Sequence, residues 1–400
     1  MSGRKVAYTC RPDPARAIFL QGTIDRQLVA RLEPQIVQLQ HASRDPISIF
    51  IHSPGGNIAN ATEILALLRC VDQDGRAPCK TITVVTTYAA SAAANLLTAG
   101  EYAIAYPNAY LHFHGVRMYR DDAITVEKAA DAARDLKANN HQAALSLARN
   151  CRSKFFFRYV SVRSELDRFR VAGSSTSEKD AFVALLRDRL SPLGRQVLDK
   201  AEQRNEKYEK LSAAILKSRA MDNLFGSLKN AQPNQFSKYY RKIEAEMIKS
   251  IVSFELQRNA KDPAWSFSGT GMTQVNDDFI LFNEYLGQHS DDWIVAFAEI
   301  WWHFLLSEEQ KRDVSAISED EARKAAIAAK LTPTLLPLWL FLGSICYVLQ
   351  EEENPLRPMD AFWLGLIDEV VGEKVPTVRD VLEWSPSPQD NSHERTAPGS

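Results

Sequence analysis

Short apolar runs alternate with stretches of helical spacing through the first 120 residues. This alternation constrains the fold more than any other feature of the chain. "RAIFLQG" (Arg16–Gly22) reads as a strand closed by glycine. Leu28, Leu32, Ile36 and Leu39 then recur at intervals of three and four, the spacing of a helix with one apolar face. "ISIFIHS" (Ile47–Ser53) is a second strand, followed by "PGG" and a helix through "NATEILALLRCV". "TITVVTT" is a third strand, "AASAAANLLTAG" a helix with Gly100 as its stop, and "EYAIAYP" and "AYLHFHG" two further short strands. Strand and helix in this rhythm mean crossover units on a parallel sheet.

The rhythm changes after residue 120. "TVEKAADAARDLKANNHQAALSLARNC" is helical, and helical spacing continues with breaks at "VAGSST", "NAQPNQ" and "DPAWSFSGTG" to about residue 350. "LDKAEQRNEKYEKLSAAILKSRAM" is long, charged and amphipathic. "RPMDAFWLGLIDEVV" returns to a helix followed by a strand, and "SPSPQDNSHERTAPGS" is polar and broken by proline, as a disordered tail would be.

A length of 400 residues suffices for two domains or one domain with an insertion. The formal charge of −2 gives no reason to expect nucleic acid or an anionic membrane as a partner. Five cysteines at scattered positions argue against a disulfide framework; Cys70 and Cys79 flank a polar loop but read as thiols. No metal-type cysteine pair and no Walker-type glycine loop occurs, so neither metal nor other cofactor is expected, and any use of ATP would be borrowed from a partner. "MSGRKVAYTC" lacks the apolar core of a signal peptide, which makes a reducing cytoplasm the expected compartment. Two apolar runs, Trp293–Leu306 and Leu335–Leu349, fall short of the roughly 20 residues of a membrane span. Buried helices are therefore expected there rather than membrane contact.

Two segments carry candidate chemistry. "SPGG" (Ser53–Gly56) follows a buried-type strand, and glycines there let backbone approach a ligand closely; most such turns are only turns. In "TTYAASAAANLL", Ser91 sits among alanines at a strand-to-helix junction. Serine at a helix start is commonly a cap or a small packing residue. Here the alanines leave room around the hydroxyl, and the N–H of Ala92 at the helix start suits an anion. A serine nucleophile needs a base. His112 and His114 lie two apart in "AYLHFHG", on one face of a strand, and either qualifies. A third group should orient the base, and the chain holds too many acidic residues for spacing to choose one.

These segments, in order, resemble the ClpP family of serine peptidases, within the wider ClpP/crotonase superfamily. "RAIFLQGTID" is similar to the family's opening strand and turn. "IFIHSPGGNIANATEILALL" is similar to its "yINSPGG" segment and helix, and "TTYAASAAANLLTAG" to its "G-x-A-A-S-M" nucleophile segment. "YPNAYLHFHG" is similar to "lPNsrvmIHqP", and "MDAFWLGLIDEVV" to its late helix and strand. The resemblance implies an α/β fold, a repeated β-β-α spiral core carrying a large α-helical insertion. Its implied parts are a core at 1–120, a handle-type helix at 121–165, the insertion at 166–350, a C-terminal completion of the core at 351–384 and a disordered tail at 385–400.

Carried over residue by residue, Ser91 is the nucleophile, His114 the base, and Gly56 and Ala92 the oxyanion-hole donors. His112 falls on a hydrophobic family position. Thr87 stands where the family has glycine, Gly115 where it has glutamine and Val116 where it has proline. The family's acid is an aspartate after the handle helix. Counting from His114 lands on Arg163; Glu165 and Asp167 lie just beyond. Counting back from "GLID" reaches Glu351, Glu352 and Glu353. Asp167, the glutamate cluster, an acid from within the insertion and a Ser–His pair without an acid all stay open.

The implied activity is peptide-bond hydrolysis through an acyl-enzyme, on a peptide or protein substrate. The implied partners are copies of the same chain and an ATP-driven unfoldase, the family assembling as stacked rings. An insertion at the handle points to a dimer or a single ring instead. The alternatives are an inactive ClpP-like scaffold or regulatory subunit, and a membrane-associated peptidase resembling signal-peptide peptidase A.

Overall fold

The computed structural model describes residues 11–70, 77–118, 125–169, 177–216, 302 and 305–375. The chain divides into two compact units, Met1–His112 with Arg357–Ser400, and Phe113–Leu356.

The first unit is built on β1 (Ala17–Gln21), β2 (Ile47–Ser53), β3 (Thr81–Ala90) and β4 (Tyr102–Ala105), all parallel. β5 (Tyr110–Phe113) pairs in parallel with the last residues of β3, Tyr110 opposite Tyr88 and His112 opposite Ala90. Ile47, Ile49 and Ile51 of β2 and Ile82, Val84 and Val85 of β3 are buried, the near-continuous apolar content of strands covered on both faces.

The crossovers are α1 (Arg26–Ala42), α2 (Ile58–Leu68) and α3 (Ala92–Thr98). Asp25 caps α1 by accepting the Leu28 N–H at 2.8 Å, and Leu28, Val29, Leu32 and Ile36 form its buried stripe. The other end of α1 is closed by Arg16, which is 8% exposed and donates to the carbonyls of Leu39 and Asp45 at 2.9 Å and of Ser43 at 3.3 Å. Its guanidinium thus meets the Leu39 carbonyl in the last turn of the helix and two carbonyls just beyond it, where a cation suits the helix end. Asn57 caps α2 through the Ala59 N–H at 2.8 Å.

The late segment returns to this unit. The chain passes through a short helix, Pro358–Trp363, to a two-residue strand, Glu369–Val370, parallel to β4. Asp368, 4% exposed, accepts the Ala103 N–H at 2.8 Å and donates its own N–H to the Ala103 carbonyl at 2.8 Å. Tyr102 donates its hydroxyl to Glu369 at 2.7 Å. Cys70 and Cys79 are both free thiols.

The second unit is helical: α4 (Val126–Val162), a 3₁₀ turn (Arg163–Phe169), α5 (Glu178–Arg189), α6 (Pro192–Leu216), α7 (Glu308–Ser315) and α8 (Asp320–Glu351). Aromatic packing joins α4 to its neighbours. Phe155 and Tyr159 meet Phe182 of α5 edge to face at 5.6 and 5.5 Å, and Phe156 stacks on Trp339 of α8 at 6.4 Å. Burial, then Glu178, pushes the Tyr159 phenol well above its ordinary pKa. Burial, then the neighbouring Cys151 of α4, likewise raises the thiol of Cys346 in α8, so that thiol stays protonated.

The apolar run Leu335–Leu349 is part of α8, with Leu338, Phe341, Leu342 and Ile345 fully buried. Among the described residues no helix is long and apolar enough to cross a membrane. Most of Trp293–Leu306, the breaks at "VAGSST", "NAQPNQ" and "DPAWSFSGTG", and the tail at 385–400 lie outside the described residues.

Candidate active site

β3 runs three residues beyond the apolar stretch that suggested it, through Ala90, and α3 begins at Ala92. Ser91 is therefore the single residue that turns strand into helix. It does so with φ 56° and ψ −129°, the only non-glycine residue at positive φ among those described. An L-residue held there costs on the order of 1–3 kcal/mol and persists only where its surroundings enforce it.

The surroundings are visible. The Ser91 N–H donates to the His112 carbonyl of β5 at 2.7 Å, and its carbonyl accepts from Ala94 and Asn95 at 3.0 and 3.2 Å. The hydroxyl makes no helix-capping bond. Gly55 presses against the turn: a Cβ there would meet the Ala90 oxygen and the Ser91 Cβ at 2.6 Å each. Gly55 has φ 92° and donates its N–H to the buried Ser53 hydroxyl at 3.0 Å. "SPGG" is thus glycine-rich because its backbone must touch the serine turn.

Gly56 packs against Ile24, whose nitrogen would lie 2.7 Å from an added Cβ. The neighbours of Gly56 make the bridging bonds: Ile24 N–H to Gly55 O at 2.8 Å and Asn57 N–H to Ile24 O at 2.9 Å. The N–H groups of Gly56 and Ala92 have no acceptor among the described residues. Both donors that the sequence nominates are therefore available to another group, and the strained serine lies beside the second.

Thr87 occupies an irregularity of β3. Ile51 pairs with Val85 but Ser53 with Ala89, so β3 carries extra residues against β2. The Thr87 hydroxyl bonds His52 Nδ1 at 2.5 Å on the exposed side of this bulge. Sequence reasoning gave His52 no part near the site, and no pattern flags such a cross-strand contact.

His114 belongs to the second unit and follows β5. Its Nδ1 is 2.7 Å from the Gly115 carbonyl. The acid candidates also lie in this unit. Glu351 pairs with Arg204 at 3.2 Å, Glu352 with Lys200, and Glu353 with Arg117. Arg163, at the counted position, pairs with Glu178 at 3.2 Å, and Glu165 with Arg189 at 2.8 Å. Asp167 lies in the 3₁₀ turn Arg163–Phe169. Glu351 to Glu353 thus engage three different cations in exposed ion pairs.

Residues 6–153 match the family described as Clp protease. ATP-dependent Clp protease proteolytic subunit 3 of Rhizobium meliloti (strain 1021) is 32% identical over 102 residues, 25% of this chain and 49% of that protein. The chain thus spans about half the length of this curated relative. Residues 6–153 are homologous to the Clp protease domain, and a large helical region is added to it.

Proposed function

We propose that the chain is a ClpP-like serine endopeptidase. The observation that carries this reading is the strained Ser91, pressed against Gly55 and flanked by the unbonded Ala92 N–H. Strain at a strand-to-helix serine holds the Oγ clear of the helix it precedes.

Ser91 Oγ attacks a peptide carbonyl while His114 takes its proton. The N–H groups of Gly56 and Ala92 hold the oxyanion, and loss of one such donor costs about 3 kcal/mol in the transition state. His114 returns the proton to the leaving amine. A water, deprotonated by the same imidazole, then releases the acyl group. Asp167, Glu351, Glu352 and Glu353 are the acids considered for orienting His114. The superfamily's β-β-α spiral, the handle role of α4 and the division of the chain into core and insertion belong to the same reading.

By likeness to an ATP-dependent relative, an unfoldase delivers protein substrate. The helical addition replaces the usual double ring with a dimer or a single ring. Sedimentation velocity of the full chain tests this, and a double-ring particle would refute it. A scaffold without activity is the second reading, favoured by the engagement of all three clustered glutamates with cations.

A serine-directed fluorophosphonate separates the two. Covalent labelling of the full chain at Ser91, lost in Ser91→Ala with the fold intact by circular dichroism, is the expected result. Persistent silence of the wild-type chain selects the scaffold.

A further inference from the structure

We propose that the Gly115–Val116 peptide, held by Asn140 of α4, orients His114. This rests on the reading of His114 as the base. A carbonyl oxygen only accepts, so the 2.7 Å contact with Gly115 O places the ring hydrogen on Nδ1. Nε2 is then the basic nitrogen of the neutral ring, the tautomer that a serine's base requires.

The orientation of that carbonyl is itself fixed. A trans peptide is planar, with C=O and N–H pointing in opposite directions. The N–H of the same peptide, from Val116, donates to Asn140 Oδ1 at 2.5 Å. One rigid plate therefore links Asn140 to His114, and donation from its N–H end strengthens acceptance at its C=O end. The plate is also confined: a Cβ on Gly115 would meet the Gln350 carbonyl oxygen at 2.7 Å and Asn140 Nδ2 at 2.9 Å. Any larger residue would lift the loop from α4 and from the end of α8. The arrangement depends on Val116, because the proline of the family pattern has no N–H to give. Asn140 is a positioning residue, acting through the plate.

The test uses the full chain. Asn140→Ala should lower kcat roughly 10- to 100-fold at unchanged KM, the scale of losing a group that orients a working histidine. Asn140→Asp, which keeps an acceptor oxygen, should restore kcat to within a few-fold. Nitrogen-15 NMR of the histidine-labelled chain, with His114 assigned by loss of its signal in His114→Gln, should show the Nδ1–H tautomer in the wild type and a mixture in Asn140→Ala. A wild-type Nε2–H tautomer overturns the proposal, as does an Asn140→Ala chain that keeps the wild-type kcat and tautomer. The NMR readout needs no turnover. A chain that fails to label at Ser91 yet shows the expected tautomer sinks the peptidase reading and leaves the Asn140 relay standing.

Discussion

Gly55 and Gly22 both sit at positive φ, 92° and 81°, yet they differ in what surrounds them. Gly22 has open space where a Cβ would be, whereas Gly55 has the Ser91 turn at 2.6 Å. Gly22→Ala should therefore cost only the backbone penalty, about 1–2 kcal/mol. Gly55→Ala adds a collision with backbone and should cost more than about 4 kcal/mol. It should also abolish fluorophosphonate labelling wherever the variant still folds. Urea denaturation followed by tryptophan fluorescence measures both; equal losses would show that contact with the serine turn contributes nothing.

At the scale of elements, Arg16 ties the start of β1 to the C-terminal carbonyls of α1. Arg16→Met keeps the apolar stem and removes the donors. It should cost about 2 kcal/mol, the scale of hydrogen bonds made by a charged group. Thermal unfolding that matches wild type would show that water replaces the guanidinium. Such elements were legible because their signals are local. Leu28, Leu32 and Ile36 mark the buried face of α1, and β2 was delimited at Ile47–Ser53 by its own residues. The seam at Ser91 was legible too, although β3 reaches three residues further than its apolar run. The partner of a carboxylate is not local. Glu351 and Glu352 meet Arg204 and Lys200 from far earlier in the chain, and Arg163 meets Glu178 across a turn. No periodicity encodes those meetings. The bond from Val116 to Asn140 was equally hidden, since it joins a loop to the middle of a long helix.

Across the whole molecule, the first unit is completed by residues from the far end of the chain. Asp368 and Glu369–Val370 cover the outer edge of β4 with reciprocal backbone and side-chain bonds. A chain ended after Leu356 would leave that edge with unpaired N–H and C=O groups, a template for association. It should form aggregates visible by light scattering where the full chain stays dispersed; a stable, dispersed truncation would show that the return segment is dispensable. The same dependence sets an order of events during synthesis. Ser91 and the glycine turn leave the ribosome early, but the sheet that carries them lacks the Glu369–Val370 strand until the helical region between has been made. A nascent chain thus carries the serine turn through the synthesis of the whole helical region on an unfinished sheet.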